Sequence, residues 1–361
     1  MIYRAIGLMS GSSLDGLDIV FTEIQENGGR WSYDILHADC IPYSQEWVQR
    51  LRDATSLSAL DYQLLHVDYG HYIGRCVNDF IQQHHLQFKI AVVASHGHTT
   101  FHLPAKGLTA QLGDGAAIAA ETQLPVVSDL RAMDVAFGGQ GAPIVPIGER
   151  LLFDPYRYFL NIGGIANLSI NGEAYTAFDI CAANRVLNLL AQETGRMYDD
   201  NGNLAREGQL HQALLNELNG LDYYTRPAPK SLANDFGTDT VFPMIKKYQL
   251  SPQDSLRTYT AHIVRQVKNA VQPYMEPTSE PQKMLVTGGG ALNGFLIDQL
   301  QEALPGIGIV VPDEELVQYK EALIMALIGV LRWREEYNVL HTVTGATRNS
   351  VGGAMWMGQE E

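Results

Sequence analysis

The chain has few basic residues, few cysteines and no long apolar run. Its 25 Lys and Arg against 40 Asp and Glu give a formal net charge of −15 over 361 residues. Because contacts with nucleic-acid phosphates need a basic surface, this balance argues against general nucleic-acid binding. The cysteines Cys40, Cys76 and Cys181 are far apart in sequence. They are typical of reduced, mostly buried thiols and indicate neither a disulfide framework nor a zinc site.

The longest nearly uninterrupted apolar stretch, Ala322 to Leu331, is too short to span a bilayer and predicts a buried helix. No cationic segment followed by a long apolar one opens the chain, since Ser10 and Gly11 interrupt the first apolar run. These absences predict a cytoplasmic protein without membrane contact. A length of 361 residues with 46% hydrophobic content predicts two α/β domains of ordinary size.

A small-residue turn lies between two strand-like runs, Ala5 to Met9 and Ile19 to Thr22. The pattern predicts a hairpin whose connection, Ser10 to Asp18, is rich in glycine, serine and aspartate. Successive N–H groups of such a turn hold phosphate oxygens, and a carboxylate there needs a cation such as Mg²⁺ between itself and phosphate. A polar hairpin turn without a ligand has the same composition. The segment alone leaves both interpretations open.

A second copy of this pattern favours the phosphate interpretation. Residues 157–170 again run from an apolar strand through a glycine turn into another strand. Two further pairs follow in the same order: A-V-V-A-S-H-G at 91–97 with M-L-V-T-G-G-G at 284–290, and P-V-V-S-D at 125–129 with I-V-V-P-D at 309–313. Such order predicts two structural copies, each with an antiparallel strand start followed by helices and buried parallel strands. Coincidence among short apolar runs is the alternative.

Two cations lie near these motifs, Arg131 in S-D-L-R-A-M-D and Lys230 in P-A-P-K-S. In an acidic chain an anionic ligand needs a locally positive site, which either side chain could supply. Either could instead be a surface cation paired with a carboxylate. The sequence leaves both possibilities open.

The histidines His96, His98 and His102 form a candidate metal cluster. On a strand, positions 96 and 98 would point the same way, and a third imidazole nearby could complete a zinc site. Gly97 between them favours a loop near a substrate instead.

Short motifs along nearly the whole chain carry a family resemblance. They are M-S-G-S-S-L-D-G at 9, S-H-G at 95, S-D-L-R-A-M-D-V-A-F-G-G-Q-G-A-P at 128, N-I-G-G-I-A-N at 161, G-R-M-Y-D-D-N-G at 195, P-K-S at 229, G-G-G-A-L-N at 288 and T-V-T-G-A at 342. In this order and spacing the chain resembles the anhydro-N-acetylmuramic acid kinase family, within the sugar kinase, actin and heat-shock chaperone superfamily. The resemblance implies a kinase that uses ATP, Mg²⁺ and water to open the 1,6-anhydro ring of a cell-wall amino sugar, leaving a 6-phosphate, in peptidoglycan recycling.

The resemblance also implies an α/β fold of two ribonuclease-H-like domains, of the actin and hexokinase type, facing a central cleft. We expect the first domain to comprise residues 1–131 plus 340–361 and the second to comprise 132–339. The helix from Glu321 to Trp333 would be interdomain core, with Glu321 at its start. The expected partners are ATP and a small anhydro amino sugar, and a homodimer is the expected assembly.

Site residues follow from the matched motifs. Asp179 matches the catalytic aspartate, a base for the attacking water. The phosphate and metal turn comprises Gly11, Ser12, Ser13, Leu14, Asp15, Gly16, Leu17 and Asp18, with Asp15 holding Mg²⁺ directly or through water. An opposing phosphate loop comprises Gly163 and Gly164, and the nucleoside contacts are Gly288, Gly289, Gly290 and Asn293. The substrate contacts are His96, Arg131 and Glu321, with Arg131 meeting a carboxylate.

Three segments depart from the family pattern. The family's D-T-G-P-G-N reads D-I-C-A-A-N at 179–184, its S-H-G-Q-T reads S-H-G-H-T at 95–99, and its P-K-S-T-G-R-E reads P-K-S-L-A-N-D at 229–235. Added Cβ atoms at Cys181, Ala182 and Ala183 could block the sugar or move Asp179. Two alternatives therefore stay open. One is a divergent member that acts on another sugar or binds a sugar as a sensor, and the other is an ATP-driven binding or chaperone-like protein.

Overall fold

The chain divides into two units, and each unit folds around its own β-sheet. The computed structural model describes residues 1–11, 14–172, 175–228, 230–233, 235–276 and 281–358. Unit 1 comprises Met1–Asp154 and Tyr319–Glu361, and unit 2 comprises Pro155–Gln318.

The elements are given in chain order. The first part contains β1 (Ile2–Ser10), β2 (Gly16–Asn27), β3 (Arg30–Pro42), α1 (Gln45–Arg52), α2 (Ala59–Gln83), β4 (Val92–Leu103), β5 (Leu108–Leu112), α3 (Gly115–Thr122), β6 (Val126–Ser128), α4 (Ala132–Ala136) and α5 (Pro146–Leu152). The second contains β7 (Tyr158–Ile162), β8 (Ile165–Ile170), β9 (Thr176–Ala182), α6 (Asn184–Gln192), α7 (Asn203–Glu207), α8 (Gln212–Asn219), α9 (Phe242–Lys246), α10 (Pro252–Val271), β10 (Gln282–Thr287), α11 (Gly294–Ala303) and β11 (Ile307–Val310). The last comprises α12 (Glu314–Trp333), α13 (His341–Thr344) and β12 (Ala354–Trp356).

The two sheets share one strand order. In unit 1, β1, β2 and β3 are antiparallel neighbours, β4 runs parallel to β1, and β6 runs parallel to β4. In unit 2, β7, β8 and β9 form the antiparallel part, and β10 and β11 continue the sheet in parallel. The predicted repeat is confirmed, since β1, β4 and β6 correspond to β7, β10 and β11. This order confirms the predicted ribonuclease-H-like α/β fold of the two units.

Unit 1 carries two strands beyond this shared pattern. Strand β5 pairs antiparallel with the distal part of β4. Strand β12 pairs antiparallel with β6, so that Ala354 lies opposite Ser128 and Trp356 opposite Val126. The C-terminal segment, which we expected to pack back on the first domain, therefore extends its sheet.

Helices cover both faces of the unit 1 sheet. Four consecutive residues of β1, from Ala5 to Leu8, are buried, which is typical of a strand covered on both sides. Helices α2 and α3 contribute to the core on one face, and α12 packs on the other. The approach of α12 is close because glycine and alanine line it: a Cβ built on Gly7 would lie 1.9 Å from the carbonyl oxygen of Ala322.

Replacing Gly7 with alanine is expected to lower the free energy of unfolding by about 3 kcal/mol or more, because the methyl group would overlap the backbone of α12. Urea unfolding of the purified variant measures this. Gly308→Ala in β11 is the matched control, since its Cβ would meet no atom nearer than 3.9 Å. Equal stabilities of the two variants would contradict the packing described.

The unit boundaries differ from the domain boundaries predicted at 131 and 340. Residues 132–154 belong to unit 1 because α5 packs in it, where Gly148 lies against Ile324 of α12. The part of α12 from Tyr319 onward also belongs to unit 1. Helix α12 begins seven residues before Glu321, since Asp313 caps it by accepting a hydrogen bond from Leu316 N–H (2.8 Å). Glu321 therefore lies about two turns inside the helix, and the expectation that it starts the helix is wrong.

Unit 2 encloses a neutral histidine in its core. His262 on α10 is 0% exposed, and its ring nitrogens contact Asn219 Oδ1 (2.8 Å) and the Tyr224 hydroxyl (3.0 Å). Burial lowers the pKa of His262 from 6.5 to about 3. The folded unit therefore keeps this ring uncharged in mildly acidic solution.

Acid should destabilise the fold through His262. Its pKa is lower in the folded chain than in the unfolded one, so the unfolded chain binds more protons between pH 3 and about 6.5. The stability that His262 contributes is present above about pH 6.5 and is lost toward pH 3, by about 1.4 kcal/mol per pH unit. Urea unfolding at pH 7, 6 and 5 should show a shallower pH dependence in His262→Gln than in the unchanged chain. Identical slopes would refute this.

Among the helices that the structure describes, none combines the length and the hydrophobicity needed to cross a membrane.

The cysteines are free thiols, with Cys76 and Cys181 buried and Cys40 exposed.

Candidate functional site

The N-terminal turn, residues 11–15, joins β1 to β2. It is shorter than the predicted connection, because strand pairing continues to Ser10 and Leu17 and places Met9 opposite Asp18. The prediction that Leu17 and Asp18 belong to the turn itself is therefore wrong. Ser12 and Ser13, predicted to bind phosphate, lie outside the described residues. Leu14 has a φ of 60°, a left-handed conformation that is uncommon for a residue with a branched side chain and clusters at functional sites.

Carboxylates surround this turn. Asp15 is exposed and accepts a hydrogen bond from Gly16 N–H (3.1 Å), while Asp18 is half-buried on β2. Burial raises the pKa of Asp18 to about 6, against a hydrogen bond from the Cys40 thiol, and the charges of Asp15 and Glu321 raise it further. The carboxylates of Asp15 and Glu321 thus both act electrostatically on Asp18.

Arg131 and His96 form a buried pair in unit 1. Arg131 Nε donates to His96 Nε2 (2.9 Å), and His96 Nδ1 lies 2.8 Å from the carbonyl oxygen of Gly97. Burial and the charge of Arg131 lower the pKa of His96 to about 3, so the ring is neutral with its proton on Nδ1. Burial also lowers the pKa of Arg131 to about 10, against the charge of Glu321. The structure therefore brings His96 and Arg131 into contact within reach of the Glu321 charge, and the role of these three residues in substrate contact stays a prediction.

A buried loop fixes the guanidinium of Arg131. Its Nη1 donates to the carbonyl oxygen of Gly141 (3.1 Å). Asp134, which is 0% exposed, accepts Gly141 N–H (2.7 Å) and the Thr344 hydroxyl (2.6 Å). The sequence interpretation missed these supports, although Asp134, Gly141 and Thr344 all lie in the motifs that carried the resemblance. Within the described part of the chain, these bonds use Nε and Nη1 and leave the other terminal nitrogen of Arg131 for an anion.

The three histidines do not converge on one point. The loop predicted around Gly97 is wrong, since β4 continues through it, with a φ of 70° at Gly97. His98 lies beside Ser10, and His102 contacts the Thr109 hydroxyl (3.1 Å). Among the residues described, no set of three or more His, Cys, Asp or Glu side chains is arranged to hold a metal ion. The alternative of a zinc cluster therefore has no support in this geometry.

Asp179 lies within β9, which continues to Ala182. Its side chain is half-buried, and one oxygen, Oδ2, accepts Leu232 N–H (2.8 Å). Its backbone is held by Lys230 O, which accepts Asp179 N–H, and by the Tyr223 hydroxyl, which donates to Asp179 O (2.9 Å). Burial raises the pKa of Asp179, and the bond from Leu232 lowers it. The carboxylate is thus fixed through one oxygen.

The unusual residues after Asp179 are part of the core. Cys181, Ala182 and Ala183 are 0%, 1% and 0% exposed, and they belong to the main hydrophobic cluster of unit 2. Their added carbon atoms therefore face packed side chains. The suggestion that they block the sugar finds no support in unit 2.

Lys230 contacts Tyr223, which is itself bonded to Asp179. Its Nζ donates to Tyr223 O (3.2 Å) and lies 4.6 Å from the centre of the Tyr223 ring. A cavity of about 490 Å³ lies beside this group, and its walls include Tyr223, Leu232 and Phe236. Tyr223 and Leu232 both line this cavity and both form hydrogen bonds with Asp179, so the cavity lies next to the residues that hold Asp179.

The predicted glycines of unit 2 form one cluster at the ends of β7 and β10. The glycine cluster comprises Gly163, Gly164, Gly288, Gly289 and Gly290. Gly288 has a φ of 78°, and a Cβ there would lie 2.4 Å from Asn161 Oδ1, so the fold itself requires this glycine. A Cβ on Gly290 would lie 2.2 Å from the Ile162 side chain. The loops after the two neighbouring strands are therefore in contact.

The other members have room for a side chain. The nearest atom to a Cβ would be at 3.5 Å for Gly163, 3.7 Å for Gly164 and 3.5 Å for Gly289, and none of the three has a left-handed φ. Neither packing nor backbone conformation requires glycine at these positions. Such glycines are typical of a backbone that a ligand approaches closely.

Two asparagines border the glycine cluster. Asn184, which the sequence interpretation did not single out, donates to Ile162 O (2.9 Å). Its Nδ2 is the atom that a Cβ on Gly289 would meet first, at 3.5 Å. Asn293, predicted to contact the nucleoside, caps α11 by accepting Leu296 N–H (3.0 Å). A Cβ on Gly202 would lie 2.3 Å from Asn293 Oδ1. The G-R-M-Y-D-D-N-G motif thus ends against the predicted nucleoside residue.

Solved structures with a related chain course have low sequence identity. The activator of the 2-hydroxyisocaproyl-CoA dehydratase from Clostridium difficile, with bound ADPNP, aligns with a TM-score of 0.45 and 15% identity, over 92% of this chain and 96% of that one. Xylulose kinase from Lactobacillus acidophilus aligns with a TM-score of 0.45 and 10% identity, over 91% and 89% of the two chains.

Sequence comparison is more specific. The model of the family described as anhydro-N-acetylmuramic acid kinase matches residues 3–358. A protein of that name from Photobacterium profundum is 33% identical over 98% of this chain and 99% of its own length. Another from Rhodopseudomonas palustris is 36% identical over 84% and 85% of the two lengths. The match runs through both units and includes every motif described above, and the chain therefore belongs to the anhydro-N-acetylmuramic acid kinase family.

Proposed function

We propose that the chain is an ATP-dependent sugar kinase of peptidoglycan recycling, which opens the 1,6-anhydro ring of anhydro-N-acetylmuramic acid with water and phosphorylates the released 6-oxygen. The observation that carries this proposal is Asp179, a half-buried carboxylate held through one oxygen by Leu232 N–H. Family membership over residues 3–358 supplies the reaction class.

Asp179 acts as the general base. Its Oδ2 is held by the backbone of Leu232, and Oδ1 takes a proton from water as the water oxygen bonds to C1 of the sugar. The bond between C1 and O6 breaks in the same step. The burial that raises the pKa of Asp179 brings its proton affinity closer to that of a base working near neutral pH.

The released O6 attacks the γ-phosphorus of ATP, and the bond from that phosphorus to the β,γ-bridging oxygen breaks. Such transfer depends mainly on positioning and on neutralising charge. Residues of the N-terminal turn, including Gly11 and Leu14, would hold phosphate through backbone N–H groups. Asp15, with Asp18 beside it, would hold Mg²⁺, and the ion would offset the negative charge of the phosphates. One or two carboxylates with substrate phosphates and water are the usual Mg²⁺ ligands, so these residues fit it.

The sugar contacts that we propose are His96, Arg131 and Glu321. Arg131 carries a positive charge near neutral pH, since its pKa is lowered only to about 10. A planar guanidinium binds the carboxylate of the lactyl group with well-defined geometry. The Gly141 carbonyl oxygen accepts from that guanidinium, and Asp134 holds Gly141 in place through its N–H.

The nucleotide contacts that we propose in unit 2 are the glycine cluster and Asn293. Gly163, Gly164 and Gly289 leave space that the protein itself does not fill. The backbone there can therefore approach phosphate and ribose closely. A cytoplasmic location would give access to ATP, and a two-fold homodimer is the proposed assembly.

The test is mass spectrometry of the purified chain with MgATP and 1,6-anhydro-N-acetylmuramic acid in oxygen-18 water. A product heavier by one phosphate and one labelled oxygen is the expected result. Phosphate gain without label would indicate an ordinary sugar kinase that acts on a free hydroxyl. Binding of ATP with no product would favour a different sugar, a sensor or a chaperone-like protein.

A further inference from the structure

A chain of buried hydroxyl groups lies behind the N-terminal turn. The Tyr43 hydroxyl donates to Ser10 Oγ (2.8 Å) and lies 2.6 Å from the Tyr69 hydroxyl. Ser10 Oγ lies 3.3 Å from His98 Nδ1. These four side chains are between 0% and 8% exposed, so each polar atom depends on the others to replace water.

The proton donors in this chain follow one direction. Tyr43 has a single hydroxyl proton, which it donates to Ser10, so Tyr69 must donate to Tyr43. Ser10 keeps its own proton to donate, and His98 Nδ1 accepts it when the neutral ring carries its proton on Nε2. Burial, which lowers the pKa of His98, favours that neutral form. With that tautomer the hydrogen bonds run from Tyr69 through Tyr43 and Ser10 to His98.

Tyr43 also reaches the other end of the turn. Its backbone N–H donates to the carbonyl oxygen of Asp15 (3.4 Å). Ser10 is the last residue of β1, and Asp15 is the last residue before β2. One residue thus contacts both residues that flank positions 11–14, once through its side chain and once through its backbone.

We propose that Tyr43 is a positioning residue that holds the phosphate-binding turn at both ends, with Tyr69 and His98 fixing its hydroxyl and Ser10 in place. The inference rests on the proposed function, because it assigns the turn to nucleotide phosphate. Tyr43 acts in this proposal through its contacts with Ser10, at the end of β1, and with Asp15, just before β2.

The His98 position extends the same argument. The family pattern has glutamine where this chain has His98, and a glutamine oxygen can also accept the Ser10 hydroxyl. Leucine cannot. His98→Gln should therefore recover most of what His98→Leu loses, whereas a role in packing alone would be served about equally by either side chain.

The experiment compares Tyr43→Phe with Tyr72→Phe. Tyr72 belongs to the same aromatic group, with its ring centre 6.1 Å from Tyr43 and 6.0 Å from Tyr69, and its hydroxyl interacts with Cys76. Both changes remove one hydroxyl oxygen from one cluster. Calorimetry with the magnesium complex of the non-hydrolysable analogue AMP-PNP gives the affinity, thermal unfolding gives stability, and steady-state assays give KM for each substrate.

We expect Tyr43→Phe to weaken AMP-PNP binding and to raise KM for ATP by about tenfold, as much as if the displaced turn lost one hydrogen bond to phosphate. KM for the sugar should stay within about twofold, and the unfolding temperature should fall further than that of Tyr72→Phe, because Ser10 and Tyr69 lose a buried partner. Equal AMP-PNP affinities of these two variants would overturn the proposal. So would an increase in the sugar KM alone.

Failure of the proposed function has a different signature. If the unchanged chain does not bind AMP-PNP, the nucleotide assignment fails and the role of Tyr43 fails with it. If the unchanged chain binds AMP-PNP but does not process the sugar, the affinity comparison still decides the role of Tyr43. Should Tyr43→Phe not fold, the pair His98→Leu and His98→Gln decides by the same readout, and equal affinities in that pair would overturn the proposal.

Discussion

Asp179→Asn is expected to lower turnover by about 1,000-fold while leaving the affinity for MgATP within about twofold. The amide oxygen of asparagine can still accept Leu232 N–H, so the position of the side chain in β9 is retained. The nitrogen that replaces Oδ1 cannot take a proton from water. Turnover measured by ADP release, together with calorimetric binding of MgATP, tests both parts of the expectation.

Asp239→Asn is the matched control for this change. Asp239 is an exposed carboxylate in unit 2, and its substitution removes the same charge without touching β9. Its turnover should equal that of the unchanged chain. An Asp179→Asn variant with close to full activity would mean that another group activates the water, and the proposed role of Asp179 would be wrong.

Gly289→Ala is expected to weaken MgATP binding by about 10- to 100-fold with little change in stability. The new methyl group would make only an ordinary contact within the protein, 3.5 Å from Asn184 Nδ2, and the backbone there is not left-handed. Its cost therefore falls on whatever ligand approaches the glycine cluster. Calorimetric titration and urea unfolding of one preparation give the two quantities.

The neighbouring Gly288→Ala should behave in the opposite way. Its methyl group would meet Asn161 Oδ1 at 2.4 Å on a backbone with a φ of 78°, so we expect a clear loss of folding stability. If Gly289→Ala binds MgATP as tightly as the unchanged chain, the glycine cluster is not the nucleotide site.

The strand patterns made the fold predictable, because they are local. Short apolar runs followed by glycine turns recur in the order of β1, β4 and β6 and again in that of β7, β10 and β11. The boundaries of the units could not be predicted as well from the sequence. They depend on where α12 and α5 pack, and on contacts such as Gly7 with Ala322 that join residues hundreds of positions apart.

The candidate site was predictable where a residue type carries the chemistry, as with Asp179, Arg131 and the glycine cluster. The supports of those residues were not predictable. Asp134 accepts a hydrogen bond from the hydroxyl of Thr344, and Tyr43 donates one to the hydroxyl of Ser10. These partners are distant in sequence, and no local pattern marks such a contact. The departures at 181–183 were misleading for a related reason, since sequence alone does not show that their side chains face the core.

The pairing of His96 with Arg131 has a consequence for how the chain responds to acidity. The pKa of the ring is lowered to about 3 and that of the guanidinium only to about 10, so between these limits the pair keeps one unit of positive charge. A ring whose pKa stayed near 6.5 would add a second charge in mildly acidic solution. The pair thus presents an incoming anion with constant electrostatic attraction over some seven powers of ten in proton concentration. The charge of Asp18, whose pKa is about 6, does change within that interval. Carboxylates of this kind, and not the His96–Arg131 pair, therefore make the charge of this region depend on pH.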